Sequence, residues 1–134
     1  MNKLQGLSLV FTALGLLVLS PRSASAADAK AEIITAALHA GFAAMATDLP
    51  TAQKHLHHVM NCLIGPGGAE YDASAGNPCK DQGAGAIPDS DVMAQPLLMA
   101  NLATAKQAAA QSDLIKIKES AAALQASLNK SAGK

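Results

Sequence analysis

The run His55-Leu56-His57-His58 concentrates three of the chain's four histidines within four positions, and Cys62 follows one helical turn after His58. Neutral imidazole is a good ligand for zinc, copper, nickel and iron. At 100° per residue, a helix would bring His55, His58 and Cys62 within about 60° of one another and send His57 elsewhere. An i, i+3 histidine pair supplies two donors, and a useful site needs a third. His39 is the candidate, provided its segment and that of His55 form a hairpin turning near Asp48 and Leu49. Residues equally far from such a turn lie at similar heights, which sets His39 level with His58. Height alone does not set rotation, so whether His39 faces the pair is left to helix packing. Met45, Met60, Met93 and Met99 are soft donors suited to copper(I) or a haem axial position, but Met at helical spacing reads first as core filling.

The two cysteines, Cys62 and Cys79, stand 17 positions apart. An even count in an exported chain reads as a disulfide, and a loop of that length gives about 3 kcal/mol in the chain-entropy view. The spacing is not C-x-x-C, which argues against a thioredoxin-like centre, and no C-x-x-C-H is present for covalent haem. A Cys62–His58 nucleophile is disabled once the cysteine is bonded. Gly65-Pro66-Gly67-Gly68 matches neither a P-loop nor a dinucleotide fingerprint, and Asp89 and Asp91 read as helix caps. No catalytic residue is expected, and the chain is read as a non-enzyme.

Four segments must position these groups, each with helical and none with strand periodicity. Helix one is expected from Ala29 to Thr47, with Ile34, Leu38, Gly41, Phe42, Met45 and Leu49 along one face. Asp48-Leu49-Pro50-Thr51 breaks it. Helix two follows from about Pro50 to Leu63 with Leu56, Val59, Met60 and Leu63 as its stripe, antiparallel to the first. Residues 65–88 are rich in Gly, Pro, Asn and Asp, so a long loop is expected there. If Cys62 and Cys79 pair, this loop lies close to the histidine edge, where Tyr71, Asp72, Asn77 or Asp81 can offer hydrogen bonds or an oxygen ligand. Helix three would be capped by Asp89, Ser90 or Asp91 and reach about Ala110, with Pro96 kinking it or delaying its start. Helix four starts at Ser112 or Asp113 with Leu114, Ile117, Ala121, Leu124 and Leu128 as a seam, and residues 130–134 are expected to fray. The expected fold is all-α: an up-and-down four-helix bundle whose disulfide-stapled loop joins helices two and three.

The first residues combine Lys3, an apolar core from Leu7 to Leu19 and the small triplet Ala24-Ser25-Ala26, the three regions of a signal peptide. Residues 1–26 are therefore expected to be removed, leaving residues 27–134 as a single domain in the periplasm or outside the cell. No apolar run in that part is long enough to span a bilayer. Loss of Lys3 and Arg22 leaves eight basic against ten acidic side chains, a formal charge of −2, which removes the electrostatic drive for nucleic-acid binding. With no Trp and one Tyr, the core falls to small and aliphatic side chains.

The stretch His55-Leu56-His57-His58, Asn61-Cys62-Leu63, Gly65-Pro66, Tyr71-Asp72, Gly76-Asn77-Pro78-Cys79 and Gly85-Ala86-Ile87-Pro88-Asp89 resembles a pattern in small exported bacterial proteins of uncharacterised function. The resemblance implies an independently folding exported domain and carries no ligand or catalytic residue with it. On the residues alone, the first expectation is non-catalytic binding of a transition metal, copper or zinc, by His55, His58 and His39, as a carrier, buffer or sensor. The second is a structural or protein-interaction module displaying the stapled loop. Non-covalent haem binding is the third.

Overall fold

Three aspartates begin three helices. Asp28 Oδ1 accepts from the Ala31 amide at 2.9 Å, Asp48 Oδ1 from Thr51 at 2.8 Å, and Asp113 Oδ1 from Ile115 at 2.9 Å, so each satisfies an amide the helix itself leaves unpaired. The computed structural model describes residues 27–133, and the leader expected over residues 1–26 lies outside the described residues. Among the described residues the protein is all-helical: α1 Ala29–Met45, α2 Leu49–Ile64, α3 Ala86–Asp89, α4 Gln95–Ala109 and α5 Leu114–Ser131. None of these helices is long and apolar enough to cross a membrane.

Helix α1 packs against α2 and α5, α4 packs against the same two, and the short α3 touches α1, α2 and α4. The stripes expected on α2 and α5 are the buried ones: Leu56, Val59, Met60 and Leu63 share with Ile117, Ala121, Leu124 and Leu128 one core that also takes Leu98 of α4. Between α2 and α4, Gln53 Nε2 donates to the Ala109 and Gln111 carbonyls at 3.1 and 3.2 Å, closing the C-terminal end of α4.

Helix α1 departs from expectation. Its buried face is Ile33, Ala36, Ala37, Ala40 and Ala43, while Leu38 is 51% and Met45 68% exposed. The face is turned by about one residue because α1 lies between α2 and α5, where alanines let backbones approach and larger side chains would hold them apart. Gly41 follows the same logic, since a Cβ there would collide with the Gln125 side chain of α5.

Three further boundaries are corrected. The irregular stretch ends at Gly85, and Ala86–Asp89 form a helical turn closed by Asp89 N–H to the Gly85 carbonyl at 3.0 Å. Pro88 is tolerated because the first turn needs no amide from it. Asp89, Ser90 and Asp91 do not cap α4 with their side chains; it begins at Gln95 beside Pro96, the delayed start rather than the kink, and the Asp91 carbonyl accepts the Ala94 amide at 2.8 Å. The tail expected to fray from residue 130 stays helical through Ser131, held by the buried Ala132.

The loop is closed at its neck by two glycines. Gly65 and Gly85 have φ of 67° and 122°, and their backbones lie so close that a Cβ on either would strike the other strand of the neck. Cys62, on the last turn of α2 before the neck, is bonded to Cys79 of the loop, with Cα atoms 5.3 Å apart.

Candidate metal centre

Two elements supply the site. His39 comes from the middle of α1, and His55 and His58 lie one turn apart on α2, which returns alongside α1 after the three-residue connection Ala46–Asp48. The rotation that buries the alanines of α1 leaves His39 at the boundary facing α2. His39 Nδ1 stands 3.1 Å from His55 Nδ1 and 3.1 Å from His58 Nδ1. The donor atoms of all three lie within 4.8 Å of one another, and all three residues are half-buried. Tetrahedral bonds of about 2.0 Å from one metal to imidazole nitrogens place those nitrogens about 3.3 Å apart, so the two measured edges approach a ligand set. Phe42 stands edge-on to His39 with ring centroids 5.5 Å apart and lies 5.3 Å from His55, covering one flank.

The hydrogen bonds decide which nitrogen of His58 faces the centre. Its Nε2 lies 2.6 Å from the Ala75 carbonyl, which only accepts, so the proton is assigned to Nε2 and the lone pair to Nδ1. A planar ring nitrogen has either one N–H or one lone pair. With a lone pair on His58 Nδ1, His39 Nδ1 meets it favourably only by donating its N–H, and its contact with His55 Nδ1 is then either a share of that N–H or N–H against N–H. A cation at the centre could take a lone pair from each ring.

Electrostatics keep the donors available. Burial, reinforced by the proximity of His58 and His55, pushes His39 down to about 4. His55 is also lowered, by burial first and then by His58 and Lys54. Both rings are neutral near pH 7, the form that ligates.

His57 points away from this group, as its helical angle implies. Its Nδ1 is 3.2 Å from Asp72 Oδ2, in proximity without hydrogen-bond alignment. Cys62 shares the edge but is no donor, because its sulfur is bonded to Cys79. Of the loop groups expected near the site, Asp72 turns to Ser74 and His57, and Asn77 Oδ1 accepts the Cys79 amide at 3.0 Å. Neither they nor Tyr71 or Asp81 meets His58, whose partner is the backbone carbonyl of Ala75, a group without a side-chain signature in the sequence. Core filling describes Met60 but not Met45, Met93 or Met99, which are exposed.

Asn61 is the residue that sequence reasoning passed over. It is 1% exposed, its Nδ2 donates to the Asp72 and Gly76 carbonyls at 2.7 Å each, and its Oδ1 accepts the Asp72 amide at 2.9 Å. The available signal was an amide side chain within the apolar stripe of α2, three residues after His58. On another side of the loop, Ile64, Pro66, Gly67, Ile87, Pro88 and Gln95 border an apolar groove of about 620 Å³ that none of the three histidines lines. No protein-family model, curated protein or solved structure matches this chain, so the meaning of the centre rests on its own geometry.

Proposed function

We propose that the protein is an exported, non-catalytic binder of a transition metal, copper or zinc, acting as a carrier, buffer or sensor through His39, His55 and His58. The observation that carries this is the convergence of three Nδ1 atoms from two helices, with two separations of 3.1 Å. In this reading the four long helices serve as an up-and-down bundle, rigid enough to hold α1 and α2 at a fixed spacing. Three imidazoles without a thiolate suit tetrahedral zinc(II) with one external ligand, or a three-coordinate copper(I). The disulfide favours a setting in which cysteines oxidise, such as the periplasm.

Haem fits less well. The Nδ1 atoms approach one another directly, whereas a haem must place its whole macrocycle between two axial ligands. The apolar groove beside α3 favours, as a second reading, an interaction module displaying the loop. Titration of the protein from residue 27 onward with zinc and copper(I), against a chelator competitor, decides between the first two readings. Tight one-to-one binding lost in the His55→Ala/His58→Ala double variant is the expected result. Equal weak binding by both proteins removes the metal reading.

A further inference from the structure

A metal-binding histidine is oriented by what its other ring nitrogen meets. For His58 that partner is the Ala75 carbonyl, 2.6 Å from Nε2, on an irregular turn rather than a helix. A carbonyl in a loop fixes a ring only if the loop is itself fixed. Ala75 lies between Asp72 and Gly76, the two residues whose carbonyls Asn61 Nδ2 holds at 2.7 Å, while Asn61 Oδ1 takes the Asp72 amide at 2.9 Å. Both amide hydrogens and the amide oxygen of one buried side chain thus go to the backbone on either side of the group that meets His58. Asn61 projects from the same face of α2 as His58, one turn on. The turn comes so close that a Cβ at Gly76 would stand 3.8 Å from His58 Nε2.

We infer that Asn61 is a positioning residue of the metal centre: it clamps the turn 72–76 so that the Ala75 carbonyl holds the proton of His58 on Nε2 and presents Nδ1 to the ion. The inference rests on the metal reading for its consequence, but the tautomer it assigns is a property of the metal-free protein. Asn61→Ala removes all three bonds and leaves every ligand, the disulfide and the Lys106–Glu70 ion pair in place. Direct partners of ligating histidines typically contribute 10- to 100-fold to metal affinity, and loss of the clamp acts by releasing such a partner, the Ala75 carbonyl.

Two quantities test it, with Asn61→Ala beside wild type and a Glu70→Ala control that frees the loop from α4 without touching the clamp. The first is the His58 tautomer of metal-free protein, read by ¹⁵N NMR of the imidazole nitrogens. The second is zinc affinity by chelator competition. Wild type and Glu70→Ala are expected to hold the Nε2–H form and bind zinc alike; Asn61→Ala is expected to show a tautomer mixture and about 10- to 100-fold weaker binding. An unchanged tautomer in Asn61→Ala overturns the inference, even where binding weakens, because the effect is then one of general stability. If Asn61→Ala does not fold, Asn61→Ser, which keeps one hydroxyl for the turn, is read in the same way. Wild type that holds the Nε2–H tautomer but binds no zinc overturns the metal reading and, with it, the inferred role in metal binding.

Discussion

At the scale of single residues, burial has displaced two titrations in opposite directions. His39 is pushed down to about 4, so its proton is taken up by the unfolded chain before the folded one. The contribution of His39 to the stability of the metal-free protein is therefore expected to shrink as the pH falls from about 6.5 towards 4, the window between the free and folded values. On the metal reading, acidification is expected to displace the ion as protons compete for the imidazole lone pairs. Thermal unfolding of the metal-free protein and zinc retention across that range measure the two effects. Glu32 behaves conversely. Its carboxyl, 1% exposed on α1, is raised to about 7, by burial first, against the lowering effect of the Gly85 amide at 2.8 Å, with the Asp89 carboxylate beside it and Asp28 adding to the rise. The Glu32 contribution to stability is expected to fall as the pH rises from about 4.5 to 7, opposing that of His39 where the two windows overlap, because the folded state keeps a proton the unfolded chain gives up. Glu32→Gln, which mimics the protonated acid, should raise the melting temperature at pH 8 and change little at pH 4. A variant equally affected at both would show that the carboxyl ionises freely.

At the scale of elements, the neck of the loop is where backbone replaces side chain. Gly85 combines a φ of 122° with an approach to the Gly65 backbone that admits no Cβ. Gly85→Ala is expected to cost roughly 2 kcal/mol or more in chemical denaturation, from strain and from separation of α3 from α2. Gly67→Ala, where a Cβ meets nothing within 4 Å, should change stability by less than about 0.5 kcal/mol. The alanine face of α1 makes a matching demand. Ala36→Leu at a fully buried position is expected to cost about 1–3 kcal/mol and to move His39 away from α2, which weaker zinc binding would register.

At the scale of the whole molecule, the disulfide joins stability to the site. Cys62 and Cys79 are both buried and close the loop that carries Ala75 to His58. A Cys62→Ala/Cys79→Ala double variant is expected to lose about 3 kcal/mol. It should also bind zinc more weakly while keeping all three histidines; unchanged affinity would show that Asn61 alone holds the turn. The helical periods, the start of the last helix at Asp113, the break before Pro50 and the His55/His58 pair were legible in the sequence because each is a local property, decided by neighbours within one or two turns. The α2 and α5 stripes were legible for the same reason, since their large apolar residues have only one place to go. Helix α1 was not: with alanines on one side and Leu38, Phe42 and Met45 on another, hydrophobicity alone favours the larger set, and only the narrow space between α2 and α5 selects the smaller. That choice is also what turns His39 towards His55 and His58. The sequence by itself determined which imidazoles share a helix. Tertiary packing decided that a third joins them and which nitrogen of His58 faces inward, because helix rotation and a carbonyl supplied by a folded-back loop depend on contacts between residues far apart in the chain.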